Sequence, residues 1–193
     1  VTTFHDAVKG VNSSAKAITA KGFFDQKYVA SDSSAVSGQA KTGAKSAQYE
    51  VTVSQLATGQ RNESAKVNGG GYGALASGSY TFGISAGTGV EKQVAVNVSA
   101  TDTNKQVLSK FAAAINNGNT GVRAEVKTDG DKQYLSLQGK DTGAASTFSL
   151  RDISGNAVSS LNLSNTAQAA QDAKYTVNGT AYQSSSNKLS LDN

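Results

Sequence analysis

Hydrophobic and polar residues alternate along much of the chain, and this pattern predicts β-strands. In the first clear run, Tyr49, Val51 and Val53 alternate with polar residues, which is the period-two signature of a half-buried strand. The alternation returns in four later runs: Tyr80, Phe82 and Ile84; Val94, Val96 and Val98; Val122, Ala124 and Val126; Leu135 and Leu137. We therefore expect a β-rich architecture.

One helix is predicted between the second and third of these later runs. Residues Thr101–Thr103 supply N-cap side chains, and Asn116–Gly118 offers a C-cap. The apolar positions between them form a broad stripe made of Val107, Leu108, Phe111, Ala112 and Ile115. We expect this helix to lie across a sheet, with two strands before it and two after it, the latter joined by a tight turn at Asp129–Lys132.

A second helical pattern opens the chain, over about Thr3–Ala20. Its apolar seam is narrow and consists of Phe4, Val8, Val11, Ala15 and Ile18. The helix either lies on the surface of the protein's own globular part or forms the end of a coiled-coil stalk. The pattern leaves both interpretations open. Because short isolated helices are marginal in water, we expect this segment to need a neighbour.

The remaining segments are polar. Ser31–Gln48 is typical of an extended linker or an irregular edge strand. Near the end of the chain, Tyr175 and Val177 lead into Asn178–Gly179, a hairpin-turn signal. Because the chain starts at a residue other than Met and stops just after a strand-like run, we expect the sequence to be an excerpt of a longer protein.

Composition and charge narrow the function classes. Only 37% of residues are hydrophobic, and cysteine is absent, so disulfides and cysteine-based metal sites are excluded. The net charge is +4, but the basic residues are scattered singly, without the basic run that follows a phosphate backbone. No segment approaches the ~18–20 apolar residues that cross a bilayer. We expect neither nucleic-acid binding nor membrane insertion.

Candidate chemical groups are few. The single histidine, His5, cannot build a metal site or a triad alone. Gly69–Gly71 is not followed by the Gly-Lys-Ser/Thr of a phosphate-binding loop. Asp129–Asp131 lacks the spacing of a calcium loop, and no Gly-x-Ser-x-Gly elbow occurs. We therefore expect no catalytic, cofactor-binding or metal-ligating residues, no cofactor, and no enzymatic activity.

Three segments resemble the flagellar filament cap proteins, the hook-associated protein 2 family. The first is YEVTVSQLATGQ at Tyr49–Gln60, the second is the helix ending in Ile115–Asn116 followed by Gly121–Val122, and the third is AQDAKYTVNGTAYQSSSN at Ala170–Asn187. The resemblance rests on matched positions in the outer two segments: Tyr49, Val51, Val53, Gln55, Leu56 and Ala57; Ala170, Asp172, Ala173, Tyr175, Val177, Asn178, Gly179, Ser186 and Asn187. The middle segment also occurs in flagellins.

The resemblance implies a fold and a role. It implies an α+β, predominantly β protein with two small head domains and one packed helix in the inserted domain, preceded by a helical stalk segment. The implied division is a stalk end at residues 1–30, a first head domain at residues 31–66 and 158–193, and a second head domain at residues 67–157. The family forms a ring-like oligomer at the extracellular tip of the bacterial flagellum, retains exported flagellin subunits and promotes their folding and insertion.

Two other functions remain open on the residues alone. One is another flagellar component, either a flagellin outer domain or a hook-filament junction protein. The other is a surface adhesin module, which would need aromatic and acidic residues gathered in a pocket. Its candidate aromatics are Tyr72, Tyr80, Tyr134 and Tyr182.

Overall fold

The protein is described by a computed structural model. It covers residues 9, 11–13, 16, 28–34, 36–41 and 43–191. The chain divides into two compact units, one formed by Val1–Tyr49 with Ser190–Asn193 and the other by Glu50–Leu189. The predicted stalk helix lies for the most part outside the described residues. Lys9, Val11–Ser13 and Lys16 are described as helical and exposed, too few to test the stalk.

The second unit is predominantly β, as predicted. Its elements in chain order are β1 (Val51–Gln55), β2 (Arg61–Glu63), β3 (Val67–Asn68), β4 (Gly78–Ala86), β5 (Lys92–Val98), α1 (Asn104–Asn117), β6 (Val122–Asp129), β7 (Lys132–Gly139), β8 (Phe148–Ser154), α2 (Ala157–Ser160), β9 (Thr166–Gln168), β10 (Ala173–Val177) and β11 (Thr180–Ser184). No helix among the described residues is long and apolar enough to span a bilayer.

These strands form three antiparallel sheets. The small sheet has the order β1-β10-β11, the outer sheet has the order β5-β4-β8, and a five-stranded sheet has the order β3-β7-β2-β9 with β6 also paired to β7. In the small sheet Val51 lies opposite Val177, and Val177 lies opposite Thr180. Strands more than a hundred residues apart in the sequence are therefore neighbours in one sheet.

Helix α1 contacts both larger sheets. Thr103 and Gln106 form a capping box, in which the Gln106 amide donates to the Thr103 hydroxyl and the Thr103 amide donates to the Gln106 side chain. The buried stripe includes Phe111, whose ring stacks on Phe82 of the outer sheet with centroids 5.5 Å apart. The predicted packing of this helix on a sheet is confirmed, and the helix also bridges to a second sheet through β5 and β6.

The short strand β2 is not revealed by hydrophobic alternation, because the buried side chains in and around it are polar. Gln60, Asn62 and Ser64 are all buried around β2. Gln60 donates to the Phe148 carbonyl at 2.8 Å and accepts from the Phe148 amide at 3.0 Å, while the Asn62 side chain donates to the Leu163 carbonyl. Because buried polar groups are tolerated when they are hydrogen-bonded, these residues occupy core positions without an apolar signal.

Candidate assembly surface

The first backbone amides of α1 are hydrogen-bonded to the glycine-rich segment before it and are therefore not available to a phosphate. The Asn104 amide donates to the Gly71 carbonyl at 2.7 Å, and the Lys105 amide donates to the Gly69 carbonyl at 3.0 Å. The first amides of a helix are the groups that would hold an anion. Here the glycine carbonyls already accept from them, so Gly69–Gly71 acts as a cap for α1.

The acidic turn at Asp129–Asp131 is also structural. Gly130 has a φ of +61°, as the reversal between β6 and β7 requires. The Asp129 carboxylate pairs with Lys66 at 2.6 Å, and this hydrogen bond lowers the pKa of Asp129. His5 lies outside the described residues. Among the described residues, no group of three or more histidine or acidic side chains could hold a metal ion.

The candidate tyrosines of the adhesin hypothesis lie on separate elements. Tyr80 is buried in the core on β4, and Tyr134 of β7 lies under the Lys66 ammonium, 5.4 Å from its ring centre. Tyr72 sits in the loop after β3, and Tyr182 belongs to β11 of the small sheet. These four side chains therefore do not line a common pocket.

The small sheet has one apolar face. Its register places Val51, Val53, Tyr175, Val177 and Tyr182 on the same side, because strand side chains alternate between faces. Tyr175 and Tyr182 stack with ring centroids 5.8 Å apart. Val53 is 42% exposed and Tyr182 is 48% exposed. The sheet thus shows a half-exposed apolar surface rather than a closed core.

The hydrophobic core of the unit does not extend into the small sheet. Among the described residues, the main buried cluster draws its members from the other two sheets, the two helices and the loops beside them, and none from β1, β10 or β11. The small sheet is instead joined to the rest of the unit, here called the body, through hydrogen bonds. We call this region the joint; it comprises Leu56–Thr58, Gln171–Asp172, Ser185–Asn187 and the loop Asp141–Ser146.

Two chain segments cross the joint side by side. The Thr58 amide donates to the Gln171 carbonyl at 2.9 Å, and the Gln171 amide donates to the Thr58 carbonyl at 3.1 Å. The Asn187 side chain then pairs with the backbone of Ala57, accepting from its amide at 2.7 Å and donating to its carbonyl at 2.9 Å. An asparagine amide here imitates the backbone of a neighbouring strand.

The Asp172 carboxylate gathers the remaining contacts of the joint. One oxygen accepts from the Ala144 amide at 2.6 Å, and the other accepts from the Gln183 side chain at 2.6 Å. The Ala144 amide, then Gln183 and nearby Lys174, hold the pKa of Asp172 below its ordinary value. Because Ala144 belongs to the body and Gln183 to the small sheet, this carboxylate ties the two together.

The outer two family-like segments meet at the small sheet and the joint. The Gln55 side chain donates to the Asp172 carbonyl at 2.7 Å, and the Glu50 amide donates to the Asn178 side chain at 2.9 Å. The hairpin turn has φ values of +49° at Asn178 and +80° at Gly179, as its sequence predicts. The motif residues therefore have a structural reason to occur together, which sequence spacing alone did not reveal.

The middle segment has its own constraints. The Asn116 side chain exchanges two hydrogen bonds with the Ala124 backbone, each 2.9 Å long, which fixes the end of α1 to β6. Gly121 has a φ of +77°, and a side chain there would begin 2.8 Å from the Ala86 side chain. Glycine is required at this position for both conformation and space.

Comparison with known proteins gives a consistent result. No protein-family model matches the sequence. The flagellar hook-associated protein 2 of Escherichia coli is 27% identical over 97% of this chain, and the match spans 42% of that protein. The crystal structure of the D2–D3 domains of the flagellar cap protein FliD from Escherichia coli aligns with a TM-score of 0.66 at 25% identity, covering 82% of this chain and 85% of that one. The Serratia marcescens D2–D3 structure aligns at 0.61 and 29% identity, covering 74% and 79%.

The fold defines a class first: a β-rich protein whose described strands form three small antiparallel sheets. Within that class, most of the chain corresponds to the D2–D3 head domains of the flagellar cap protein, hook-associated protein 2. The resemblance predicted from the three sequence segments is thereby confirmed. The chain accounts for less than half the length of the curated relative.

Proposed function

We propose that this chain is the head of a protein that caps the growing tip of the bacterial flagellar filament outside the cell. The observation that carries the proposal is the alignment with the D2–D3 domains of a flagellar cap protein over 82% of the chain. In this function the head helps to retain exported flagellin subunits and to promote their folding and insertion. Its partners are flagellin and further copies of the capping protein, arranged in a ring-like oligomer.

The described surface supports a steric and interfacial mechanism. A capping head works by occupying space and making reversible contacts, which require shape and mixed polar and apolar surface. The small sheet offers such a surface, with Val53 and Tyr182 half-exposed on one face and the exposed polar residues Thr52 and Gln183 on the other. None of this chemistry calls for a nucleophile, a metal or a cofactor.

We also propose the domain division implied by the resemblance: a stalk end at residues 1–30, a first head domain at residues 31–66 and 158–193, and an inserted second head domain at residues 67–157. The pairing of β1 with β10 supports a discontinuous first domain. Strand β7 of the proposed second domain pairs with β2 of the first, and β2 pairs in turn with β9, so the five-stranded sheet continues across this boundary.

A chimaera tests the function. The D2–D3 region of the Escherichia coli cap protein is replaced by residues 1–193 of this chain, and the product is expressed in a strain that lacks its own cap protein. We expect longer filaments in electron micrographs, recovered swimming in soft agar, and less flagellin lost to the medium than in a strain whose D2–D3 region is replaced by a short linker.

The control separates export from capping. An immunoblot of the culture medium and of sheared filaments establishes that the chimaera is exported and attached. An attached chimaera that leaves flagellin loss and filament length equal to those of the linker strain would rule out the capping function. A gain of filament length with equal flagellin loss would instead favour the alternative of another flagellar component.

A further inference from the structure

We propose that the small sheet is mounted on the body by a carboxylate-locked joint, in which Asp172 fixes the orientation of two parts that stay folded when the lock is released. The first support is the distribution of apolar contacts. The main buried cluster of the described residues stops short of β1, β10 and β11. At the joint the small side chains of Ala57 and Ala173 are buried, but they offer little apolar surface, so hydrogen bonds supply most of the contacts that hold the orientation.

The second support is the geometry of the lock. Asp172 accepts from Ala144 of the body and from Gln183 of the small sheet, each at 2.6 Å. Beside it, the Thr142 hydroxyl donates to the Ser185 carbonyl at 2.7 Å, and the Gly143 amide donates to the Thr58 carbonyl at 3.2 Å. A single loop of the body therefore grips both the crossing segment and the chain after β11.

The third support is the closeness of that grip. Gly143 has a φ of +102°, and a side chain at this position would begin 2.6 Å from the Ser185 side chain. Only glycine permits both the backbone conformation and the approach. The loop therefore lies against the chain just after the small sheet. A loop that contacted the body alone would not require glycine at this position for such an approach.

Neutralising the carboxylate should open the joint. A protonated acid or an asparagine replaces two charge-assisted bonds with weaker neutral ones, and it keeps the bond to Gln183 only when the Gln183 amide turns its oxygen towards the new donor. Lys174 on β10 is the charged group that favours the ionised form. Lys140 precedes the gripping loop, Asp141 begins it, and β11 presents the neutral Gln183. Because the folded pKa is lowered, the lock is complete above the ordinary aspartate pKa of ~3.9 and is lost as the pH falls through the lower folded value.

The absence of cysteine from the sequence makes a distance measurement straightforward. Cysteines introduced by Ser109→Cys on α1 and Ala181→Cys on β11 lie at exposed positions on the two parts. Spin labels on this pair report the distribution of distances across the joint by pulsed electron resonance. We expect one narrow distribution for the parent at neutral pH, and loss of that narrow distribution for Asp172→Asn.

Matched variants make the outcome specific. Asp131→Asn removes an exposed carboxylate in the β6–β7 turn and should leave the narrow distance distribution unchanged. Thr142→Val removes the hydrogen bond to Ser185 and should broaden the distance distribution at neutral pH. Acid should broaden the parent, and broaden Asp172→Asn much less. Hydrogen exchange of the Val177–Thr180 hairpin and of α1 establishes that both parts remain folded. A distribution in Asp172→Asn as narrow as the parent's, or a broad one accompanied by loss of hairpin protection, would overturn the proposal.

Discussion

Replacement of Phe111 by alanine is the most demanding test of the core. The Phe111 side chain has 0% exposure and stacks on Phe82 at 5.5 Å between ring centroids. It thus joins α1 to the outer sheet at the centre of the buried cluster. Truncation of a buried phenylalanine costs ~3–5 kcal/mol, which includes the cavity that remains. Because domains are stable by only ~5–15 kcal/mol, this is a large share of the free energy of unfolding.

Urea denaturation followed by far-UV circular dichroism measures the loss. With a dependence of ~2 kcal/mol per molar urea, typical of small proteins, a loss of ~4 kcal/mol lowers the midpoint by ~2 M. Phe111→Leu should lose less, because most of the volume is retained. Val90→Ala, at a position that is 83% exposed, should change stability by no more than ~0.5 kcal/mol. If Phe111→Ala and Val90→Ala unfold at the same urea concentration, α1 is peripheral and the assignment of this core is wrong.

Three further outcomes follow from local geometry. Thr103→Ala removes the hydroxyl that caps α1 and should lower the free energy of unfolding by ~1 kcal/mol in the same urea assay. Gly179→Ala forces a side chain into a φ of +80° and should cost ~1–2 kcal/mol. Gly70→Ala should cost less, because Gly70 has no positive φ and an added Cβ would come no closer than 3.8 Å to Asn68; equal losses would refute the turn argument. The pKa of Asp102 is lowered by its hydrogen bond to Lys110, so its contribution is complete above pH ~4 and is lost as the pH falls through the folded pKa. Asp102→Asn should therefore flatten the acid limb of the stability curve, as measured by thermal melts across pH, and an unchanged limb would contradict this.

Local sequence signals recovered the regular elements but not their arrangement. The alternation at Phe82 and Val96 and the capped stripe around Phe111 correspond to β4, β5 and α1, because each signal lies within one continuous segment. The distribution of these strands between two sheets depends on pairings with β7 and β8, and local periodicity does not encode partners. Strand β8 carries apolar alternation through Phe148 and Leu150, so a closer search of the pattern would have found it.

The joint was beyond sequence reasoning for a different reason. In the sequence, Asp172 and Asn187 are two polar positions of a family-like segment, and an aspartate or asparagine in a polar stretch is usually solvated. Their partners, Ala144 and Ala57, are separated from them by 28 and 130 positions and are bound through backbone groups. The identity of an alanine says nothing about whether its amide will be bound by a distant side chain.

The side-by-side crossing at Thr58 and Gln171 has a consequence for how this chain can change over time. These two residues exchange backbone hydrogen bonds, so the body begins and ends at adjacent points, about 5.5 Å apart between Cα atoms for such a pair. A folded segment whose two ends lie that close can join the small sheet at the same two points without adding residues to its three strands. A replacement body would also need a loop that reproduces the contacts of Thr142, Gly143 and Ala144 with the small sheet.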